Sequence, residues 1–548
     1  MIQMARNIST TDMPGRIKSY LPAALLLAII VLISFIRFRL LQIPLERDEG
    51  EYAYIGQLIL GGIPPYSHAY SLKLPGMFYA YAIIMQVFGQ SMEAIRVGLL
   101  IVNVVTIILL FLIAKHMYDE SAGIAASASY AVLSLSPSVL GMFSHATHFV
   151  MVFVLSGLLI FLKIINKNRP PIYYLFCGLF FGIGFAMKQH AVFFLVFPFV
   201  YLFITGIIGK QPYKILFMRP ICYLLGAAIP LTAICLYLYT SDVFDKFWFW
   251  TFDYAREYVS EIPVGIGLKY FISQTFNVIR PSLFLWILAV IGFFPLLLSD
   301  RPRNGRYFLL GFLACSVLSI CPGFFFREHY YIMLLPAICL LVGISVHTMK
   351  TYFEKYKSNT LSWMLPLLLL ICAVVQTLYH NRDYFFIDPV EQVGRKLSGG
   401  NPFPESLAIA KYIEENTSSN DRILVLGSEP QIYFYSRRLS ATGHIYMYGL
   451  MENQKYARSM QQEMIREIVS ANPKIIVVVT AMTSWLIRPD SDTTILNWAN
   501  RYAAENFELV GIADQIGSAH TMFLWGKDAV QYSPQSNSII YLFKRRFI

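Results

Sequence analysis

The chain has 548 residues, of which 56% are hydrophobic, 15% aromatic and only 14% charged. Soluble domains carry about 25% charged residues, so this composition excludes a soluble globular protein and predicts a polytopic α-helical membrane protein. The formal net charge of +11 does not signal a nucleic-acid partner, because the Lys and Arg residues lie mostly in short loops between apolar runs, where they encode topology.

The first apolar run, Tyr20 to about Leu41, has spanning length and no small-residue cleavage site after it, which predicts an uncleaved first helix. Arg37 and Arg39 near its end go against the charge rule and read as snorkelling side chains, with contact to a lipid phosphate as the functional alternative. Residues 47 to 76, "RDEGEYAYIGQLILGGIPPYSHAYSLKLPG", then set three acids at the membrane edge. "MFYAYAIIMQVFGQ", from Met77, is too short to span and reads as an interfacial or re-entrant helix. Further apolar segments lie near 94–115, 121–140, 147–163, 171–187, 190–208, 219–239, 276–298, 306–323, 330–347 and 361–379, for about eleven spans. All seven cysteines fall in or beside these runs without metal-ligand spacing and read as packing residues.

Basic loops before Tyr20, around Lys163 to Pro171, and from Gly209, Asp300 and Lys350 fall on one side, which predicts a cytoplasmic N-terminus. Loops 42–93 and 240–275, the junction near 324–330 and everything after about 380 then share the opposite, outer side. Residues 381–548 change character. "DRILVLG" from Asp421, "PKIIVVVT" from Pro473 and "TMFLWG" from Thr521 read as buried strands, alternating with helical stretches near 404–416, 455–470 and 493–505. The alternation predicts an extracytoplasmic α/β domain. Gly427 reads as a strand-ending turn, and Asp490-Ser491-Asp492 as a turn and helix cap rather than a metal-binding acid pair.

Charges near the bilayer are costly, so those at the outer face carry the functional reading. Helical spacing places Asp48 on the same side as Glu51 and Tyr52, with Glu49 beside them. The first loop returns through His68 and Lys73, a second junction carries Lys188, and a third carries Arg327, Glu328, His329 and Tyr330. A lone Lys188 would be an ordinary interfacial anchor. Three junctions pairing acids with cations on one face point to a site instead.

The first-loop acids, the Lys73-Leu74-Pro75-Gly76 return, "GIGFAMKQ" and "REHYYIMLLPA" together resemble family 39 glycosyltransferases. That family includes the protein O-mannosyltransferases and the lipid A aminoarabinose transferase. The likeness covers the layout of most of the first 380 residues. It implies the glycosyltransferase C fold, with 11–13 transmembrane helices, and transfer of a sugar from a polyprenyl-phosphate donor to a lipid, glycan or protein acceptor. At the position matching the family's first-loop aspartate, Asp48 would be the base, and Glu49 would orient the acceptor or hold a divalent metal. Lys73, Arg327 and His329, followed by Lys188 and Arg37, would stabilise the leaving phosphate. Glu328 is a departure from the family pattern and would pair with Arg327. The aromatic stretch from Asp242 reads as an interfacial belt, with a lid over sugar or isoprenoid as the alternative. A transporter of lipid-linked saccharide is the competing class; it predicts polar groups at mid-membrane, whereas these gather at helix ends.

Overall fold

The structure, a computed structural model, describes residues 12–546 apart from 166, 168, 299–302, 356–358 and 518–519. Parts of the basic loops at Asp300 and Lys350 therefore lie outside the described residues. Among those described, eight helices are long and apolar enough to cross a membrane, beginning with Tyr20–Arg39 and ending with Ser362–His380. Three shorter apolar helices accompany them: Gly76–Phe88, Ile172–Met187 and Gly305–Ser319. Lipid offers no partner to backbone N–H and C=O groups, so apolar runs of this length close their hydrogen bonds internally as helices. Close helix contact comes from small residues. A Cβ on Gly178 or Gly182 would meet the Tyr223 or Ala227 carbonyl oxygen of the helix Tyr213–Thr240 at 1.9 and 2.3 Å.

Two expected spans are shorter than the sequence suggests, and both shortfalls lie at the end of the helices that meets the C-terminal domain. The run expected over 121–140 is helical only over Glu120–Leu133. Ser136 and Pro137 then open a 3-10 turn that ends at Leu140 in the left-handed region, φ 51°. The run expected over 330–347 begins as the 3-10 turn Glu328–Met333, and its α-helix starts only at Leu335.

Between the first span and the rest lies the helix Arg47–Leu60, opened by a capping box in which Glu46 accepts from the Glu49 N–H and Glu49 accepts from the Glu46 N–H. Most of this helix is buried, because it is wedged between Gly76–Phe88 and the C-terminal domain. The Tyr54 hydroxyl accepts from the Ser440 N–H at 2.8 Å, Arg47 pairs with Glu429 at 3.0 Å, and the Gly50 backbone touches Gln431. An added Cβ at Gly50 would sit 2.6 Å from the Gln431 nitrogen, a backbone atom that cannot swing aside. Gly50→Ala is therefore expected to destabilise the protein by about 1–3 kcal/mol, seen as a lower melting temperature in detergent; an unchanged melt would contradict this contact.

The C-terminal domain carries a six-stranded mixed sheet in the order β2-β1-β3-β6-β4-β5, with β1 Arg422–Leu426, β2 Leu439–Ser440, β3 Ile475–Val479, β4 Phe507–Ile516, β5 His520–Trp525 and β6 Ile539–Arg545. β1 runs parallel to β2 and β3, and the other pairings are antiparallel. Helices Glu405–Asn416, Ala457–Ala471 and Thr494–Asn506 stand where the sequence predicts helical stretches. The domain core is shared with two loops of the membrane part: Tyr70, Trp250 and Tyr254 pack in one cluster with Leu424, Leu450 and Met460.

Candidate active site

A cavity of about 340 Å³ lies where the helix Arg47–Leu60, the helix junctions at Lys188 and Arg327 and the C-terminal domain meet. Asp48, Glu51, Tyr52 and Lys73 line it from the first loop, and Lys188, Arg327, His329 and Tyr330 from the later junctions. Apolar wall comes from Met187, Val192 and Phe193, and the far side from Tyr446, Tyr448 and Glu452 of the C-terminal domain. The aromatic segment after Asp242 forms a short helix, a π-turn over Phe249–Tyr254 and a further helical turn, and it delivers Trp250, Tyr254 and Tyr258 to the cavity.

Lys73 is the hub of the charges. Its Nζ donates to Asp48 Oδ1 at 2.7 Å and to Glu51 Oε2 at 2.5 Å, and stands 4.6 Å from the Tyr52 ring centroid. Burial opposes ionisation of Asp48, but Lys73 and His145 outweigh it and hold this carboxyl well below the usual carboxylate range. Glu51 shares the same cation yet shifts upward, because burial dominates; its side chain is 3% exposed against 16% for Asp48. Burial, Asp48 and Glu49 push Glu46, which caps the same helix, up to about 8. Burial likewise brings Lys188 down to about 7 against the opposing pull of Asp48, with its ammonium 4.6 Å from the Tyr330 ring centroid.

Four residues singled out in the sequence stand elsewhere. Glu49 is fully buried behind Asp48 and faces away from the cavity. Arg96 holds it, with Nη2 at 2.9 Å from Oε2 and Nη1 on Oε1, while the Ser144 N–H also donates to it. With its acceptor sites filled by protein donors, it positions the 142–145 turn instead of meeting an acceptor. Arg37 does not snorkel; it is 1% exposed and donates to the Ser134 and Gly141 carbonyls at 3.2 and 3.1 Å, satisfying the unwound end of the helix Glu120–Leu133. His68 lies in a separate groove. Glu328 is outside the cavity, and Arg327 turns from it to donate to the Tyr258 hydroxyl at 3.2 Å.

Sequence reasoning also missed His145. It follows the Ser134–Ser144 break, and its ring stacks on His329 with centroids 4.0 Å apart. The clue in the sequence was the pair of histidines in "SHATH", polar residues interrupting an apolar run. Burial brings His145 down to about 3 and His329 well below its ordinary value, which favours the neutral form of both imidazoles.

Residues 68–239 match the family described as dolichyl-phosphate-mannose-protein mannosyltransferase. Among curated proteins, none matches the chain significantly. Among solved structures, ArnT from Cupriavidus metallidurans bound to undecaprenyl phosphate superposes with a TM-score of 0.60 at 12% identity, over 95% of this chain and 97% of that one. The oligosaccharyltransferase AglB from Archaeoglobus fulgidus, in complex with an inhibitory peptide and dolichol-phosphate, gives 0.52 at 13% identity over 95% and 76%. The arabinofuranosyltransferase AftD from Mycobacteria gives 0.53 at 10% identity over 96% and 40%. This chain has the glycosyltransferase C fold. It is a multi-pass membrane protein whose arrangement follows that of ArnT along nearly its whole length.

Within this glycosyltransferase C fold, Asp48, His145 and His329 bring one ligand atom each within 4.8 Å of one another. Both ring nitrogens of His145 are buried without a hydrogen-bond partner. Two neutral imidazoles and a carboxylate suit a borderline divalent cation such as zinc. The Archaeoglobus oligosaccharyltransferase has been crystallised in complex with zinc and sulfate.

Proposed function

We propose that this protein transfers a sugar from a polyprenyl-phosphate donor to an acceptor on the outer face of the cytoplasmic membrane. The carrying observation is the cavity itself: an ionised carboxylate, Asp48, faces Lys188 and Arg327 beside an apolar wall at Met187, Val192 and Phe193. The lipid phosphate sits on the cations and the isoprenoid leaves along the apolar wall. Residues 1–380 form the transferase domain with its N-terminus cytoplasmic, and 381–548 form the outer domain that closes the cavity. The charged groups lie at helix ends, which favours surface chemistry over transport through the bilayer.

In the reaction, the acceptor oxygen bonds to the anomeric carbon as the bond from that carbon to the lipid phosphate breaks. Positive charge develops on the sugar, and the Asp48 and Glu51 carboxyls face it. A carboxylate with a lowered pKa is a weak base towards a free hydroxyl. The hydroxyl becomes strongly acidic once its oxygen starts to bond to carbon, and Asp48 then takes the proton late in the step. The departing phosphate gains charge, which Lys188 and Arg327 stabilise. Should a divalent cation be used, Asp48, His145 and His329 would hold it, and it would supply further positive charge to the phosphate.

The test is to incubate the purified protein with polyprenyl-phosphate sugars and to analyse lipid, glycan and protein acceptors by mass spectrometry. Transfer to one class is expected. Passage of the donor across the bilayer without transfer would overturn the reading. Lys188 adds a pH test, since it is charged below about 7 and loses its proton above. A phosphodiester lipid keeps a single charge between pH 6 and 8, so its affinity is expected to fall with rising pH, by about tenfold for one charged hydrogen bond. Lys188→Met should abolish that dependence, and an unchanged profile would remove Lys188 from the phosphate site.

A further inference from the structure

A second depression, an open groove of about 490 Å³, lies next to the cavity and shares Tyr70 with it. The dividing wall is aromatic: Tyr70 stacks on Trp250 at 5.4 Å between centroids and meets the edge of His444 at 5.0 Å. Lys246, Arg422 and Arg466 line the groove together with His68. These cations come from three distant parts of the chain: the aromatic segment, the start of β1 and the helix Ala457–Ala471.

The one acid that lines the groove, Glu467, already accepts from the Tyr70 hydroxyl at 2.5 Å, the Thr442 hydroxyl at 2.6 Å and the Gly443 N–H at 3.0 Å. Its oxygens are thus occupied by wall donors. A second acid nearby, Glu463, stands 3.8 Å from Lys246 and 3.2 Å from His444, and does not line the groove. Arg422 is fixed in place by donating to the Ser440 carbonyl at 2.9 Å. The pKa of His68 is lowered first by burial and then by Arg422 and Lys246, against the opposing pull of Glu467. Three cations line the groove against one acid whose oxygens already accept from the wall, which makes it a site for an anion.

We propose that this groove binds an oxyanion of the acceptor, a phosphate or a carboxylate, and so presents the acceptor's nucleophilic group past Tyr70 to Asp48. The acceptor role rests on the transferase reading above; the anion site does not. Its occupant is anionic because three cations line the groove against one acid, Glu467, while the second acid, Glu463, reaches Lys246 from outside it.

The test uses the full chain in neutral detergent, saturated with a polyprenyl phosphodiester so that the cavity cations are occupied, and titrated with inorganic phosphate or with glucuronate. At least one anion should bind, and the tighter one identifies the acceptor's charged group. Arg466→Glu, a change at an exposed position that leaves the fold intact, should weaken binding at least tenfold, as should Arg422→Gln, with the phosphodiester affinity unchanged. Equal anion binding by the wild type and Arg466→Glu, or no binding to the saturated wild type, would overturn the proposal. Failure of the phosphodiester itself to bind the wild type would count against the donor reading, and the same titration without it still reports on the groove through the Arg466→Glu comparison.

Discussion

Asp48→Asn is expected to lower the rate of sugar transfer by about 10²–10⁴-fold, with donor affinity largely kept. The substitution preserves the shape of the side chain and removes its charge and proton affinity. On the proposed reading the donor's phosphate would rest on Lys188 and Arg327, neither of which pairs with Asp48. Lys73 keeps Glu51 at 2.5 Å, so the variant does not leave a buried ammonium alone. A drop in turnover with retained binding is the signature of an interaction needed only in the transition state. Glu51→Gln provides the contrast. Burial already raises Glu51, and removing its charge should lower turnover less than Asp48→Asn does. Single-turnover transfer measured alongside phosphodiester binding separates the two. Full activity of Asp48→Asn would remove Asp48 as base, whatever the fate of the fold assignment.

The sequence carried the layout well, because the constraints on it are one-dimensional. Hydrocarbon demands long apolar runs, and each of the eleven expected runs contains a helix; short buried strands such as "RILVL" and "IIVVV" announce themselves by β-branched residues. β4 and β6 were harder to see. β4 starts at Phe507, directly after the helix Thr494–Asn506, with no turn residue between them, and β6 sits alone near the chain end. The cavity lining was legible where charge stood against an apolar background, as at Lys73 and Arg327. It was illegible where three-dimensional pairing decides the role. Glu49 and Asp48 are neighbours of equal charge, and distant partners tell them apart, Arg96 holding Glu49 and Lys73 holding Asp48. Tyr446, Tyr448 and Glu452 lie far along the chain in a different domain, and nothing local in "GHIYMYGLMEN" marks them as part of a cavity built on residue 48.

That same pairing sets the second large effect: Arg96→Met should destabilise the protein by about 3–5 kcal/mol, because it strands the Glu49 carboxylate in a site with no solvent. Glu49 would keep the Ser144 and Glu46 N–H donors, which cannot neutralise it. The double variant Arg96→Met/Glu49→Met removes both charges and should recover most of the loss, as buried pairs replaced by apolar residues generally do. Recovery should stop short of complete. The Arg96 guanidinium also donates to the carbonyls of Met142, Ile43 and Pro44 at 3.0, 3.3 and 3.4 Å, and these lose their donor in both variants. Melting curves in detergent for the two single variants and the double variant close the cycle. A strong positive coupling assigns Glu49 to the scaffold that aims Asp48 and His145. If Glu49→Gln instead melted like the wild type and lost transfer to the same degree as Asp48→Asn, the carboxylate would have to act on substrate, and its place behind the cavity wall would be wrong.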